Sequence, residues 1–164
     1  MNNVVVGVIN RYMKPLVVLS ASFLVVVAIC KSFLDIWNVT FSGNCAMCIM
    51  LIFTAIGHFK FSEGMAMMMP DFMPYKKLIV YITGFIEIIL GIALLFPEYR
   101  YIAGLATIVF FIAIVPANVT AAFKHVNYEK ADYNGAKSGY LWFRIPMQLY
   151  LLGWVFYFSI FYKG

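Results

Sequence analysis

Five apolar runs, each close to the length of a bilayer crossing, leave this chain few folds to choose from. They cover residues 16–34, 45–61, 78–96, 101–123 and 141–161 and are bounded by Pro, Gly or charge. A hydrocarbon core about 30 Å thick takes about 20 helical residues to cross. The second run, about 17 residues long, is the weakest of the five. Within lipid, backbone N–H and C=O groups have to be satisfied inside the segment, and these runs are far too long for barrel strands, so they read as helices. The expected fold is an all-α integral membrane protein.

Composition points the same way. Of 164 residues, 64% are hydrophobic and only 12% charged, whereas a soluble domain carries about 25% charged residues. The net charge of +5 does not imply a nucleic-acid partner, because twelve Lys and Arg scattered over short loops form no basic stripe. Their distribution orients the chain instead. With the N-terminus inside, Arg11, Lys14, Lys60, Lys76, Lys77, Lys124, Lys130, Lys137 and Arg144 gather on the inner face, against Lys31, Arg100 and Lys163 outside. The Cys45 end of the second helix is then outside and the His58 end inside. The basic stretch before the first run resembles a signal peptide, but the run is long and no small-x-small cleavage pattern follows, so it reads as a retained span. The 124–140 loop reads as a solvated connector.

Glu87 is the residue hardest to reconcile with lipid. It falls about ten residues into the third run among Ile and Leu, where an unpaired carboxylate costs about 3 kcal/mol or more. Gly84 and Gly91, at i−3 and i+4, share its helix face, so the acid lies on the side where another backbone can come close. Phe85, Ile89 and Leu90 are left for lipid or neighbouring packing. His58, Asn118, Arg144 and Gln148 fall at compatible depths in the inner half of the membrane. An Arg144–Glu87 pair would offset the desolvation of both charges, with His58 and Asn118 filling the remaining hydrogen-bond sites. Such a cluster either pins helix packing or forms a ligand, quinone or proton site.

The ordered motifs His58-Phe59, Met69-Pro70 with Met73-Pro74-Tyr75, Gly84-Phe85-Ile86-Glu87, Pro116-Ala117-Asn118 and Arg144-Ile145-Pro146-Met147-Gln148 resemble those of the DoxX-like family of small membrane proteins. The resemblance covers about two thirds of the chain, from the second helix onward. It implies a DoxX-like four-helix membrane domain over residues 45–164, with residues 1–44 supplying one additional N-terminal transmembrane helix and an outer loop. Some DoxX-related proteins look like membrane subunits of quinone-linked redox complexes and others like assembly or trafficking factors, so the resemblance carries the fold further than the reaction.

Cys45-Ala46-Met47-Cys48 is a C-x-x-C expected at a helix N-terminus, where the dipole favours a thiolate. On the outer side it resembles the quinone-coupled disulfide-forming enzymes of the DsbB type, although the outer loop at residues 97–100 lacks the second cysteine pair such a relay uses. Redox exchange, with Cys30 as a single resolving thiol, a structural disulfide and simple packing are the three readings. No metal site is expected: the C-x-x-C lacks a second ligand pair, and the methionines of residues 65–73 read as adaptable packing at the membrane surface rather than a soft-metal site.

Taken together, the residues lead to a redox-associated subunit of the bacterial inner membrane. Glu87 and His58 would handle protons, Cys45 and Cys48 would exchange electrons, and Asn118, Arg144 and Gln148 would orient a quinone-like or small polar ligand. Membrane lipids and a membrane or redox protein are the expected partners, since hard electron chemistry would come from outside the chain. The alternative is a non-enzymatic assembly, trafficking or lipid-binding factor.

Overall fold

The computed structural model describes the backbone of residues 2–35, 37–135 and 139–162, and the side chains of 13–33, 35, 37–135 and 144–162. Lys137 and Lys163, counted in the charge asymmetry, lie outside the described residues. Helices follow one another as α1 (Asn2–Leu34), α2 (Val39–Lys60), α3 (Ser62–Met68), α4 (Lys76–Ala93), α5 (Arg100–Ala113), α6 (Val115–Phe123) and α7 (Gly139–Val155), which runs on into a π-helical tail, Phe156–Phe161. Among the described residues the fold is all-helical, and three stretches are long and apolar enough to cross a membrane: Met13–Phe33, Val39–Lys60 and Arg100–Phe123.

The run that is weakest in sequence proves to be the central helix. α2 is 22 residues long, six residues longer at its start than its apolar core suggests, because Asn38 caps it by accepting from Phe41 N–H. The polar stretch Thr40, Ser42, Gly43 and Asn44 that masks this start is buried. α2 packs most extensively against α4 and α1. Two glycines let α4 approach: a Cβ on Gly84 would stand 2.9 Å from His58 Cβ, and one on Gly91 would stand 3.4 Å from Cys48 Cα. The face carrying Glu87 is therefore turned inward, as its spacing from the glycines implies.

Leu19 of α1, Met47, Met50 and Leu51 of α2, Phe110 and Phe111 of α5, and Leu151 and Val155 of α7 share one core. Outside it, Leu24 and Ile29 of α1, Phe85 and Ile89 of α4, and Ile102 and Val109 of α5 are exposed. An apolar surface on so many helices is unsuited to water and matches lipid tails. Leu90 belongs instead with the core packing.

The fourth run is one apolar stretch but two helices. Pro116 has no N–H for Ile112 and its ring crowds the preceding turn, and the helix breaks at Ile114 between α5 and α6. The 124–140 loop is not simply solvated. Val126 and Asn127 are buried, Val126 packs with Met68, Ala121 and Ala122, and Asn127 pairs in an antiparallel bridge with Asp132. The segment closes over α3, where a Cβ on Gly64 would overlap the Tyr128 carbonyl.

Candidate functional site

Between α2, α4, the α5–α6 break and α7 lies a cavity of about 370 Å³, within the roughly 300–1,000 Å³ of small-molecule sites. All five of the polar residues expected to cluster, His58, Glu87, Asn118, Arg144 and Gln148, line it. Its remaining wall is largely thioether, aromatic and aliphatic, with Met50, Met147, Phe53, Phe111 and Leu151 among the lining groups. It extends to the end of the bundle that carries Lys14, Lys60 and Glu129, where Lys14 and Glu129 form an ion pair at 2.9 Å.

Glu87 is 4% exposed. Its ion-pair partner is His58, whose Nε2 stands 3.5 Å from Glu87 Oε1. His58 reaches it from the last turn of α2 because Gly84 leaves room for its Cβ. The other ring nitrogen, Nδ1, is 3.1 Å from the Val80 carbonyl oxygen and 3.0 Å from Thr83 Oγ1. Thr83 in turn donates to Val80 O at 2.9 Å. A bare Nδ1 would set its lone pair against a carbonyl oxygen, so Nδ1 carries hydrogen and donates.

With Nδ1 protonated, Nε2 of a neutral ring is an acceptor, and so is each oxygen of an ionised carboxylate. At 3.5 Å the approach of Nε2 to Oε1 is an ion pair when His58 is protonated and a long polar contact when it is neutral. Oε2 is left as an acceptor; it is buried and has no hydrogen-bond partner. A buried unsatisfied oxygen of this kind costs about 1–3 kcal/mol or more.

Asn118, on α6, is 6% exposed in the same wall. Gln148, from α7, donates through Nε2 to the Phe111 carbonyl at 2.6 Å, close to the Pro116 break. Arg144, one turn before Gln148, is near enough to His58 to act on it electrostatically. Beyond the cavity, at the loop between α3 and α4, the Lys124 and Lys76 ammonium groups hydrogen-bond Asp71 and hold its carboxyl below the usual carboxylate range.

The cysteines do not join this site. Cys45 follows the true start of α2 by six residues and so falls in its second turn. The helix-terminal field is confined to the first turn, so the expected thiolate bias at Cys45 has no basis in the fold. Cys48 is buried beside Gly91 of α4, Cys45 is half-buried, and Cys30, Cys45 and Cys48 are all free thiols. Buried thiols in apolar surroundings are typically inert.

Two groups of residues escaped the sequence reading. Thr83, four residues before Glu87 and hence on the same face, orients the His58 ring; that spacing was the available signal. At the opposite end of the bundle, Asn44 donates to Thr40 O and Phe158 O, both at 2.9 Å, and Ser159 Oγ donates to Asn44 Oδ1 at 2.6 Å. Trp154 Nε1 donates to Gly43 O at 3.0 Å. These bonds satisfy the polar start of α2 against the π-helical tail, an arrangement with no local sequence signal.

Comparison with known proteins adds a family match. A family model described as a domain of unknown function matches residues 47–159, from the third turn of α2 into the π-helical tail. No curated protein and no solved structure matches the chain.

Proposed function

The chain belongs to that family, DUF8561, and from this premise we propose that it is a five-span protein of the bacterial inner membrane that binds a quinone-like molecule between α2, α4, α6 and α7. The five spans are α1, α2, α4, α5 with α6, and α7 with its tail, with the N-terminus cytoplasmic. The order of motifs shared with DoxX-like proteins supports a four-helix domain with α1 added. One observation carries the ligand reading: the buried Glu87 carboxylate, 3.5 Å from His58, joins four other polar side chains in lining a largely apolar cavity.

Quinone chemistry requires an apolar slot beside groups that give and take protons. Reduction to the hydroquinone takes two electrons, which a redox partner protein would deliver, and two protons. The His58–Glu87 pair would pass one proton to a ring oxygen and water from the Lys14–Lys60 end of the cavity would supply the second, while Asn118, Arg144 and Gln148 would orient the ring. Lys14 and Lys60 at the cavity rim favour a second reading, a non-enzymatic lipid-binding, trafficking or assembly factor, because lysines suit an anionic headgroup.

Purification in native lipids followed by quinone extraction tests the proposal. Quinone is expected in about equimolar amount from the wild type and at least tenfold less from Ala117→Phe, which fills the cavity. Phospholipid in place of quinone, equally displaced by Ala117→Phe, would favour the second reading. Equal quinone in both proteins would sink the site.

A further inference from the structure

We infer that the cavity is loaded sideways from the membrane leaflet at its Lys14–Lys60 end, through a window between α1 and α2, and that its ligand is an amphiphile whose ring lies inside while its hydrocarbon tail stays in that leaflet. The inference rests on the reading of the cavity as a quinone-like site and adds the tail and the route. Of the described residues that line the cavity, only Lys14, Phe53, Ile56 and Lys60 are exposed; the others are buried or half-buried. The opening is therefore where α1 meets α2. Phe53 and Ile56, 39% and 58% exposed, give it an apolar edge, and Lys14 and Lys60 flank its inner end. On the far side the lining is closed, with Val80 and Glu87 of α4 and Met147, Gln148 and Leu151 of α7 all buried.

Ile49, Phe53, Ile56 and Lys60 recur at the spacing of one helix face. Ile49 is exposed as well, so an apolar track runs along α2 from the window toward the middle of the bundle, and Lys60 ends it on the other side. Inside the cavity, polarity changes along the same axis. His58, Glu87 and Arg144 lie toward Lys60, whereas Met50, eight residues before His58 on α2 and about 12 Å deeper, shares the apolar end with Leu151. A molecule that follows this gradient lies as a lipid of that leaflet does, with its polar end toward the lysines and its apolar end toward the bilayer centre. Water disfavours exposed hydrocarbon, and a tail that leaves between Phe53 and Ile56 never has to cross it.

Two photoreactive probes on the full-length wild-type protein in lipid nanodiscs provide the test. Both are decyl-substituted benzoquinones; one carries a diazirine on a ring substituent and the other at the end of the tail. The ring probe is expected to label the cavity interior, at Phe111, Met147 or Gln148. The tail probe is expected to label the exposed face of α2, at Ile49, Phe53 or Ile56, and excess unlabelled decyl benzoquinone should abolish both sets of adducts. A diazirine-bearing alkane without the ring reports ordinary contact with lipid and should mark Phe85, Ile89 and Val109, which are also exposed, whether or not the competitor is present. Competed tail adducts on α4 or α5 instead of α2, tail adducts confined to the cavity interior, or tail adducts that ignore the competitor would each overturn the window, while competed ring adducts left the quinone-like site standing. Absence of competed ring adducts would overturn both.

Discussion

At the scale of the residue, Glu87 is retained at a cost to stability. Its Oε2 is buried without a partner, a situation worth about 1–3 kcal/mol of destabilisation, and a binding site often carries such an expense. Glu87→Met removes the unsatisfied oxygen while filling similar volume, and His58 stays satisfied through Nδ1 by Val80 and Thr83. The ligand-free Glu87→Met protein is therefore expected to melt at or above the wild-type temperature. Glu87→Ala, which enlarges an existing void, should be less stable than Glu87→Gln by about 1–3 kcal/mol. Thermal unfolding in detergent checks the series. A large loss of stability in Glu87→Met would mean that the carboxylate holds the helices together rather than a ligand.

At the scale of the element, the α2–α4 seam decides whether the site exists. Gly84 has no room for a methyl group, since its Cβ would sit 2.9 Å from His58 Cβ, and both belong to helix backbones that cannot easily yield. Gly153 on α7, by contrast, has nothing within 4 Å of such a Cβ. Gly84→Ala is expected to destabilise by about 1–3 kcal/mol through overpacking and to weaken ligand binding, because it pushes His58 away from Glu87. Gly153→Ala, which gains helix propensity without a clash, should leave both unchanged. Equivalent melting temperatures for the two variants would contradict the close approach of α2 and α4. The same seam shows why α2 was the hardest helix to delimit in sequence. Thr40, Ser42 and Asn44 look like loop, yet Asn44 is satisfied by Thr40, Phe158 and Ser159, partners 4, 114 and 115 residues away.

At the scale of the whole molecule, the distribution of charge sets the orientation. Ion pairs Lys14–Glu129, Lys77–Glu63, and Asp71 with Lys76 and Lys124 gather at the end of the bundle that holds the cavity. By the asymmetry of Lys and Arg, that end should face the cytoplasm. Fusion of alkaline phosphatase and of a fluorescent protein after Gly135 and at the C-terminus provides the measurement. The loop fusion is expected to fluoresce with no phosphatase activity, and the C-terminal fusion to do the reverse. A cytoplasmic C-terminus would invert the orientation and place the Glu87 cavity in the outer half of the membrane.

Periodicity and solvent physics made the helical class legible without any structure, because a backbone in lipid must satisfy itself and apolar runs of this length have one way to do so. The residues of the cavity were legible for a related reason: His58, Glu87, Asn118, Arg144 and Gln148 are polar where burial is costly, which marks each one locally. Their pairing was not. Sequence favoured Arg144 as the partner of Glu87 on charge alone, whereas the packed helices bring His58 to it, because the small Gly84 on one helix sets which turn of the other comes close. The C-x-x-C erred in the same way, since a helix start hidden among small polar residues could be recognised only once the π-helical tail had arrived to satisfy them. Local chemistry determined which groups needed partners, and the approach of distant helices decided which partners they received.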